Sequence, residues 1–283
     1  MKKDLLIYFG IFLGMLSFFS CTEEEGTEPG NDSTPSLVAY QYTVSLPYDV
    51  DCDTQIRLAV NNRIEAAYYL VEKSETKAEN VASMGMEGYL DYVVEHGTKV
   101  EEIPASLNAD IFITQLMGEY AITVVGVGDG QKVYSEFTFT GILWTDVATG
   151  TYQPASMYSL GLTDIATTLQ VCGDDPTTYR FKDLYGTGKH LVVNMLDQQG
   201  SDENGNYSFF RIPPTATCWS YGSYGTINVR DVGYWQGNDA YVTVGGYESG
   251  MYENYDCFLC IQYYVEAGYL SSGGYGYDYF IAD

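Results

Sequence analysis

Apolar and polar residues alternate over short runs along most of this chain, and a period of two is typical of β-strands that bury one face. In the first half the alternation predicts six strands, at residues 37–46, 55–60, 66–72, 110–114, 120–127 and 132–140. Gly128-Asp129-Gly130 between the last two strands predicts a tight hairpin. Residues 77–96 instead repeat their apolar positions with a helical period and are followed by Gly97, so we expect one helix inserted among the strands.

The second half continues the alternation, and we expect no helix there. Its predicted strands are residues 168–172, 179–182, 190–196, 207–212, 226–229, 240–246, 257–265 and 276–281. Short strands separated by turn residues are typical of a sandwich or a small barrel. The turn-rich run TDVATGT after Trp144 predicts a boundary between the halves. The sequence therefore predicts an all-β protein with domains at 37–145 and 147–283, either two β-sandwiches or a sandwich plus a small barrel.

The N-terminus has the pattern of a secretory signal. Lys2 and Lys3 precede an apolar run over residues 5–19, which ends at Ser20-Cys21. Fifteen residues at about 1.5 Å each cover roughly 22 Å, less than the roughly 30 Å of a bilayer core, so a cleaved signal is favoured over a permanent membrane helix. The pattern resembles bacterial lipoprotein signals, which implies a signal peptide at 1–20 and acyl chains on Cys21. An ordinary secreted protein is the alternative.

The segment after Cys21 is acidic and polar. Glu23-Glu24-Glu25 resembles the tag that follows the lipid-bearing cysteine in surface lipoproteins of Gram-negative gut anaerobes, which implies an outer-membrane location facing the cell exterior. Residues 21–36 have almost no apolar side chains, so we expect a flexible tether. The whole chain carries 13 Lys and Arg against 38 Asp and Glu, a formal net charge of −25. A chain this acidic repels nucleic acid, which we exclude as a partner.

Two resemblances concern the domains. Residues 67–71, 116–120 and 121–127 resemble a fibronectin type III or immunoglobulin-like sandwich with an inserted helix, a form frequent in such lipoproteins. This resemblance implies a spacer domain without catalytic residues. Gly150-Thr151-Tyr152 and residues 178–181 resemble the C-terminal domains of uncharacterised surface lipoproteins that are suspected glycan binders.

Tyrosine is concentrated in the second domain, which holds 18 of the 28 in the chain. Aromatic rings pack on sugar faces, and neighbouring Asn, Asp and Gln side chains bind sugar hydroxyls. The loop at residues 233–239 combines both features, and its candidate ligand-binding residues are Tyr234, Trp235, Gln236, Asn238 and Asp239. The alternative is structural, with Trp235 filling the core and most tyrosines half-buried on strands.

Metal and redox motifs are incomplete. Asp49-Val50-Asp51-Cys52-Asp53 and residues 202–206 begin like calcium loops but lack the required later residues, so both are predicted to be turns. Cys257 and Cys260 are spaced as CxxC, but on a strand they point to opposite faces. We interpret the five cysteines after Cys21 as buried apolar residues, and a bridge from Cys218 to the last strands stays open.

No catalytic signature is present. His96 closes the predicted helix and His190 opens a predicted strand, so we expect no triad, no metal, no cofactor and no enzymatic activity. The sequence favours a lipid-anchored protein that binds a glycan through its second domain, with an outer-membrane transporter as a candidate partner. The alternative is a structural, adhesive or pilus-like assembly protein, for which the alternating residues 276–281 could serve as a donor strand.

Overall fold

The computed structural model of the chain describes residues 34–283. The predicted signal peptide, the lipidation site Cys21 and most of the predicted tether lie outside the described residues. Within the described part, strands form three sheets, and every pairing between strands is antiparallel. A single helix there is longer than two turns. The all-β prediction is confirmed.

Seven strands in the first half form two facing sheets. The first sheet joins β1 (Leu37–Thr43), β2 (Thr54–Val60) and β5 (Asn108–Ile113), and the second joins β4 (Thr98–Lys99), β3 (Ala66–Lys73), β6 (Gly118–Gly128) and β7 (Gln131–Gly141). Alternate residues of both sheets, such as Ile56 and Ile122, point inward and are fully buried in one core. The hairpin predicted at residues 128–130 joins β6 to β7.

The predicted helix is present as α1 (Ser74–His96), inserted between β3 and β4. It is interrupted at Gly85, whose φ of 70° is left-handed, and it packs on the outer face of β3 and β6 through Tyr89 and Val93. Gly97 ends the helix in an extended conformation. A Cβ at Gly97 would lie 2.5 Å from the Val93 carbonyl oxygen, so glycine is needed for this close approach.

Eleven strands in the second half form one sheet, which closes on itself. They are β8 (Trp144–Gln153), β9 (Ile165–Cys172), β10 (Thr178–Phe181), β11 (Leu191–Asp202), β12 (Gly205–Arg211), β13 (Thr215–Ser220), β14 (Thr226–Asp231), β15 (Gly250–Tyr252), β16 (Cys257–Val265), β17 (Gly268–Tyr269) and β18 (Gly276–Ala282). Because β18 pairs with both β8 and β16, the pairing forms a ring of β8, β9, β10, β11, β12, β15, β16 and β18. Fully buried side chains such as Phe181, Phe210 and Phe280 fill its interior.

The strands β4, β13, β15 and β17 were not predicted, and two further segments have a different conformation from the one predicted. Residues 240–246 are not a strand, because the Asn238 side chain accepts the Ala240 N–H and starts a 3-10 helix at Asp239–Val242. Just before it lies the short helix α2 (Val232–Gln236), which the sequence also missed. The run TDVATGT is strand rather than turn, and a Cβ at Gly150 would lie 2.7 Å from the Phe280 ring. Gly150 therefore leaves space for the Phe280 side chain and does not mark a bend in the strand.

The five described cysteines are free thiols. Cys257 and Cys260 lie on the same strand, β16, with Cys257 in the core cluster, as the strand interpretation of the CxxC spacing requires. Four cysteines are buried, but Cys218 is exposed, and its bridge to the last strands is not formed. None of the helices in residues 34–283 combines the length and apolar character needed to cross a bilayer.

Candidate functional site

A groove of about 700 Å³ opens on the outside of the ring, where β12, β15, β16 and β18 lie side by side. Half-exposed or exposed aromatic rings and acidic or amide side chains share its walls. The lining residues are Asp202, Asn204, Tyr207, Glu248, Tyr252, Asn254, Asp256, Cys257, Phe258, Tyr277, Tyr279 and Ile281. The groove has a volume typical of sites for small ligands.

The alternation of side chains along β18 explains why aromatic side chains face outward from the ring of strands here. Asp278 and Phe280 point into the ring and are fully buried, whereas Tyr279 and Ile281 point outward and are 39% and 45% exposed. The neighbouring strand follows the same alternation, since Phe258 of β16 lies directly opposite Tyr279. One face of the strands therefore makes the core while the other makes the floor of the groove.

Cross-strand pairing arranges the rings in a row. Tyr207 of β12 lies opposite Tyr252 of β15, and Phe258 lies opposite Gly250. The Tyr207 and Phe258 rings meet edge to face at 4.9 Å, and the Tyr207 and Tyr252 rings do so at 5.5 Å. A Cβ at Gly250 would lie 2.6 Å from Phe258 Cζ and 2.7 Å from Tyr207 Cδ2. The two rings thus occupy the space that a side chain at Gly250 would need.

Each carboxylate of the groove is held by hydrogen bonds from within the protein. Asp202 accepts the Tyr252 hydroxyl at 2.5 Å and the Asn204 N–H at 2.8 Å. Glu248 accepts the N–H groups of residues 246 and 247, at 2.8 and 3.1 Å. Asp256 accepts the Asn254 amide and the N–H of residue 282. Three negative charges are therefore fixed in position before any ligand arrives.

The ionisation of the Asp202–Tyr252 pair is well defined. The hydrogen bond from Tyr252 lowers the pKa of Asp202, and burial together with that same bond raises the pKa of Tyr252. At neutral pH the carboxylate is charged and the phenol keeps its proton. The pair presents one negative acceptor and one half-exposed aromatic ring to the groove.

The loop residues predicted from the sequence lie outside the lining of the groove. Tyr234, on α2, is 41% exposed, and the Arg211 guanidinium lies 4.3 Å from the centre of its ring. Trp235 is half-buried, and a Cβ at Gly274 would lie 2.8 Å from its ring. Gln236 and Asn238 are exposed.

The Asn238 side chain is used to cap the 3-10 helix, and the side chain of Asp239 is outside what the structure describes. Ligand binding by these five residues stays a prediction.

The concentration of tyrosine in the second domain predicted the kind of surface that the groove has, but not which residues form it. The tyrosine-rich runs GGYESGMYENYD and GGYGYDYF contain Tyr252, Tyr277 and Tyr279, and all three line the groove. Tyr207 and Phe258 were missed, because only strand register brings them beside those tyrosines. The recurrent glycines were the available signal, since Gly200 and Gly250 leave room for the Tyr207 ring.

A second polar cluster lies between the two halves of the chain. Arg180 of β10 is 1% exposed and donates to Asp49 at 3.1 Å and to Asp51 at 2.7 Å. Its guanidinium lies 4.3 Å from the centre of the Trp144 ring, whose N–H is also bonded to Asp51. His190 Nε2 lies 3.0 Å from Asp49. This cluster joins the first sandwich to the ring.

Within residues 34–283, Asp49, Asp51 and His190 form the one group with metal-ligand spacing. Burial raises the pKa of Asp49, but contacts with His190, the Asp51 N–H and Arg180 outweigh it and hold the value below the ordinary range. Because Arg180 already pairs with both carboxylates, a metal would have to compete with it for them. Residues 49–53 form a turn, as predicted, and within 202–206 the turn is residues 203–204, which join β11 to β12.

Comparison with known proteins gives little. Neither a protein-family model nor a curated protein matches the chain. Among solved structures, a point mutant of the protein Kfla1895 with isomaltose is 12% identical over 84% of this chain and 29% of that chain, with a TM-score of 0.22. The same mutant with cyclobis-(1→6)-α-nigerosyl is 10% identical over 83% and 29%, with a TM-score of 0.23. TM-scores this low carry no argument about the fold or the function of this chain.

Proposed function

We propose that this protein captures a glycan in the groove formed by β12, β15, β16 and β18. The observation that carries the proposal is the combination of outward-facing rings with fixed polar groups in one open groove. A sugar ring has apolar C–H faces that pack on aromatic rings and hydroxyls that donate to carboxylates. Tyr252 and Tyr279 supply ring surface, while Asp202, Glu248 and Asp256 supply acceptors.

The groove needs little rearrangement to accept such a ligand. Its acceptors already hold their positions through hydrogen bonds to neighbouring residues, and its rings are braced against one another. A site that is ordered in advance loses less entropy on binding. The proposal assigns binding to the groove and no catalytic step.

The proposal also places the protein on the outer membrane, facing the cell exterior. Support comes from the signal-like residues 1–20, from Cys21 as the acylated residue and from the acidic run that follows it. A captured glycan would then be passed to an outer-membrane transporter. Mass spectrometry of the native N-terminus tests the anchor, with acyl groups expected on Cys21. An unmodified Cys21, or Cys21→Ala protein that stays on membranes after salt washing, would contradict it.

A glycan array probed with the full-length protein in mild detergent tests the function. Tyr279→Ala should abolish the signal, because it removes exposed ring surface from the groove. Tyr224→Ala is the matched control, since Tyr224 is 59% exposed and lies outside the groove. Both variants should keep the melting temperature of the native protein to within a few degrees. Equal array signals from the two variants, or no signal from the native protein, would refute the proposal.

A second candidate is adhesion through the first sandwich. The outer face of the β1–β2–β5 sheet exposes Tyr40, Tyr42 and Phe112, with exposures of 60%, 46% and 41%. Tyr40 and Tyr42 lie on one face of β1, and Gln55 of β2 separates Tyr42 from Phe112. Aromatic side chains are enriched at interaction sites. The donor-strand form of assembly has less support, since β18 is already paired on both edges. If Tyr40→Ser with Tyr42→Ser reduces attachment of cells to a surface and leaves array binding unchanged, adhesion is the better assignment.

A further inference from the structure

The groove is electrostatically one-sided. Three of its lining residues are carboxylates, and none of its lining residues is Lys, Arg or His. Asp202, Glu248 and Asp256 come from three different segments of the chain, so the charge does not arise from one local run. A ligand in the groove therefore meets negative groups without a compensating cation in the wall.

The basic residues of the second half are all placed elsewhere. Residues 144–283 contain five Lys and Arg and one His, and residues 231–283 contain none of these. Arg180 and His190 belong to the joint with the first sandwich, and Lys182 lines a separate cleft there. Arg211 pairs with Asp231, which lies outside the groove lining. No basic side chain in the lining of the groove therefore offsets its three carboxylates.

The aromatic rings of the groove favour a cationic ligand, as the carboxylates do. The face of a tyrosine ring is the negative end of its quadrupole, so it attracts a cation and repels an anion. The ring centres of Tyr277 and Tyr279 are 6.5 Å apart, and the ring planes are 24° from parallel. Both residues line the groove together with the carboxylates. A cationic substituent on a sugar that packs against them is therefore favoured by the rings and the carboxylates together.

We propose that the groove selects glycans that carry free, protonated amino groups, such as β-linked glucosamine oligomers, over their N-acetylated counterparts, and that it excludes uronic-acid and sulfated glycans. This inference rests on the glycan-binding function proposed above. It names the charge of the ligand, which that function leaves open. N-acetylation is the informative comparison, because it removes the positive charge and leaves the sugar ring and its linkage in place.

Titration calorimetry of the full-length protein in mild detergent tests the inference with three probes: a glucosamine hexamer, the N-acetylglucosamine hexamer of the same linkage, and a galacturonic acid hexamer. At mildly acidic pH we expect the glucosamine hexamer to bind about tenfold more tightly than the acetylated one. We expect no binding of the galacturonic acid hexamer. The advantage of the amine should shrink as salt is added, because exposed charges are screened.

Two variants separate the groove from the general acidity of the protein. Glu248→Gln should reduce the preference for the amine, and Glu266→Gln, an exposed carboxylate outside the groove, should leave it unchanged. Should Glu248→Gln fold poorly, Asp202→Asn serves in its place. Equal binding of the two glucosamine-based hexamers, or tighter binding of the galacturonic acid hexamer, overturns the inference and leaves glycan binding standing. Equal loss of preference in Glu266→Gln also overturns it. Failure of all three hexamers and of every array glycan overturns the proposed function itself.

Discussion

Gly250 is the residue at which the geometry of the groove can be tested most directly by stability. Its backbone is not in the left-handed region, so alanine is conformationally acceptable there. The added Cβ would nevertheless lie 2.6 Å from Phe258 Cζ and 2.7 Å from Tyr207 Cδ2. Carbon atoms in contact are normally about 3.5–4.0 Å apart, so each ring would have to retreat by about 1 Å.

The retreat is obstructed for Tyr207, since its ring also covers Gly200, where a Cβ would lie 2.5 Å from Tyr207 Cζ. Overpacking of this kind costs about 1–3 kcal/mol of the free energy of unfolding. If the free energy of unfolding falls by about 2 kcal/mol, the melting temperature of a domain as large as the second half should fall by about 4–8 °C. The displaced rings should also weaken glycan binding, because the groove would lose its row of braced rings.

Gly245→Ala is the matched control for Gly250→Ala. Gly245 also lacks a left-handed conformation, and the nearest atom to a methyl group added there is Glu248 Oε1 at 3.8 Å, an ordinary contact. Urea denaturation of both variants measures the difference in the free energy of unfolding. If Gly250→Ala is as stable as Gly245→Ala to within about 0.5 kcal/mol, the rings do not occupy the space described and the reasoning fails.

Three further predictions concern the ion pairs, a buried carboxyl and the thiols. Arg180→Ala should lower the free energy of unfolding by about 3 kcal/mol, because it leaves Asp49 and Asp51 without their cationic partner. Arg57→Ala, which removes an exposed ion pair, should lower it far less in the same urea assay. Equal losses in the two variants would contradict a special role for the Arg180 cluster. Burial raises the pKa of Asp278, so the folded state holds a proton that the unfolded chain releases. The stability of the native protein should therefore fall relative to Asp278→Asn as the pH rises above about 4, and a constant or growing advantage of the native protein would count against this. Among the described cysteines, a water-soluble thiol reagent should modify Cys218 alone in the folded protein, and Cys218→Ser should remove that reaction.

Much of the fold could be predicted from local patterns. Strand alternation predicted six of the seven strands in the first half, because strands such as β2 and β5 have one buried and one exposed face. The two-residue strand β4 was missed. The same rule failed at residues 240–246, where Ala, Tyr, Val, Thr and Val alternate but Asn238 starts a 3-10 helix instead. The local hydrogen bond to the Asn238 side chain therefore determined the conformation here, although the short pattern is typical of a strand.

The candidate sites were harder to predict, since they depend on contacts between distant residues. Arg180 and Asp49 are 131 positions apart, so no spacing rule could pair them. Tyr207 and Tyr252 belong to different runs and meet only through strand register. The tyrosine-rich composition indicated the kind of surface, and the pairing of strands decided which tyrosines share it.

The closure of the ring by β18 has a consequence for how the protein reaches its native state. The Tyr152 hydroxyl donates a hydrogen bond to Asp278, 126 positions later, and β18 lies between β8 and β16 and pairs with both. Pairing over such a separation is slow, and until β18 docks, both neighbouring strands present open edges that other chains can join. A chain that ended before β18 would remain at that stage, so aggregation during folding should be its first defect.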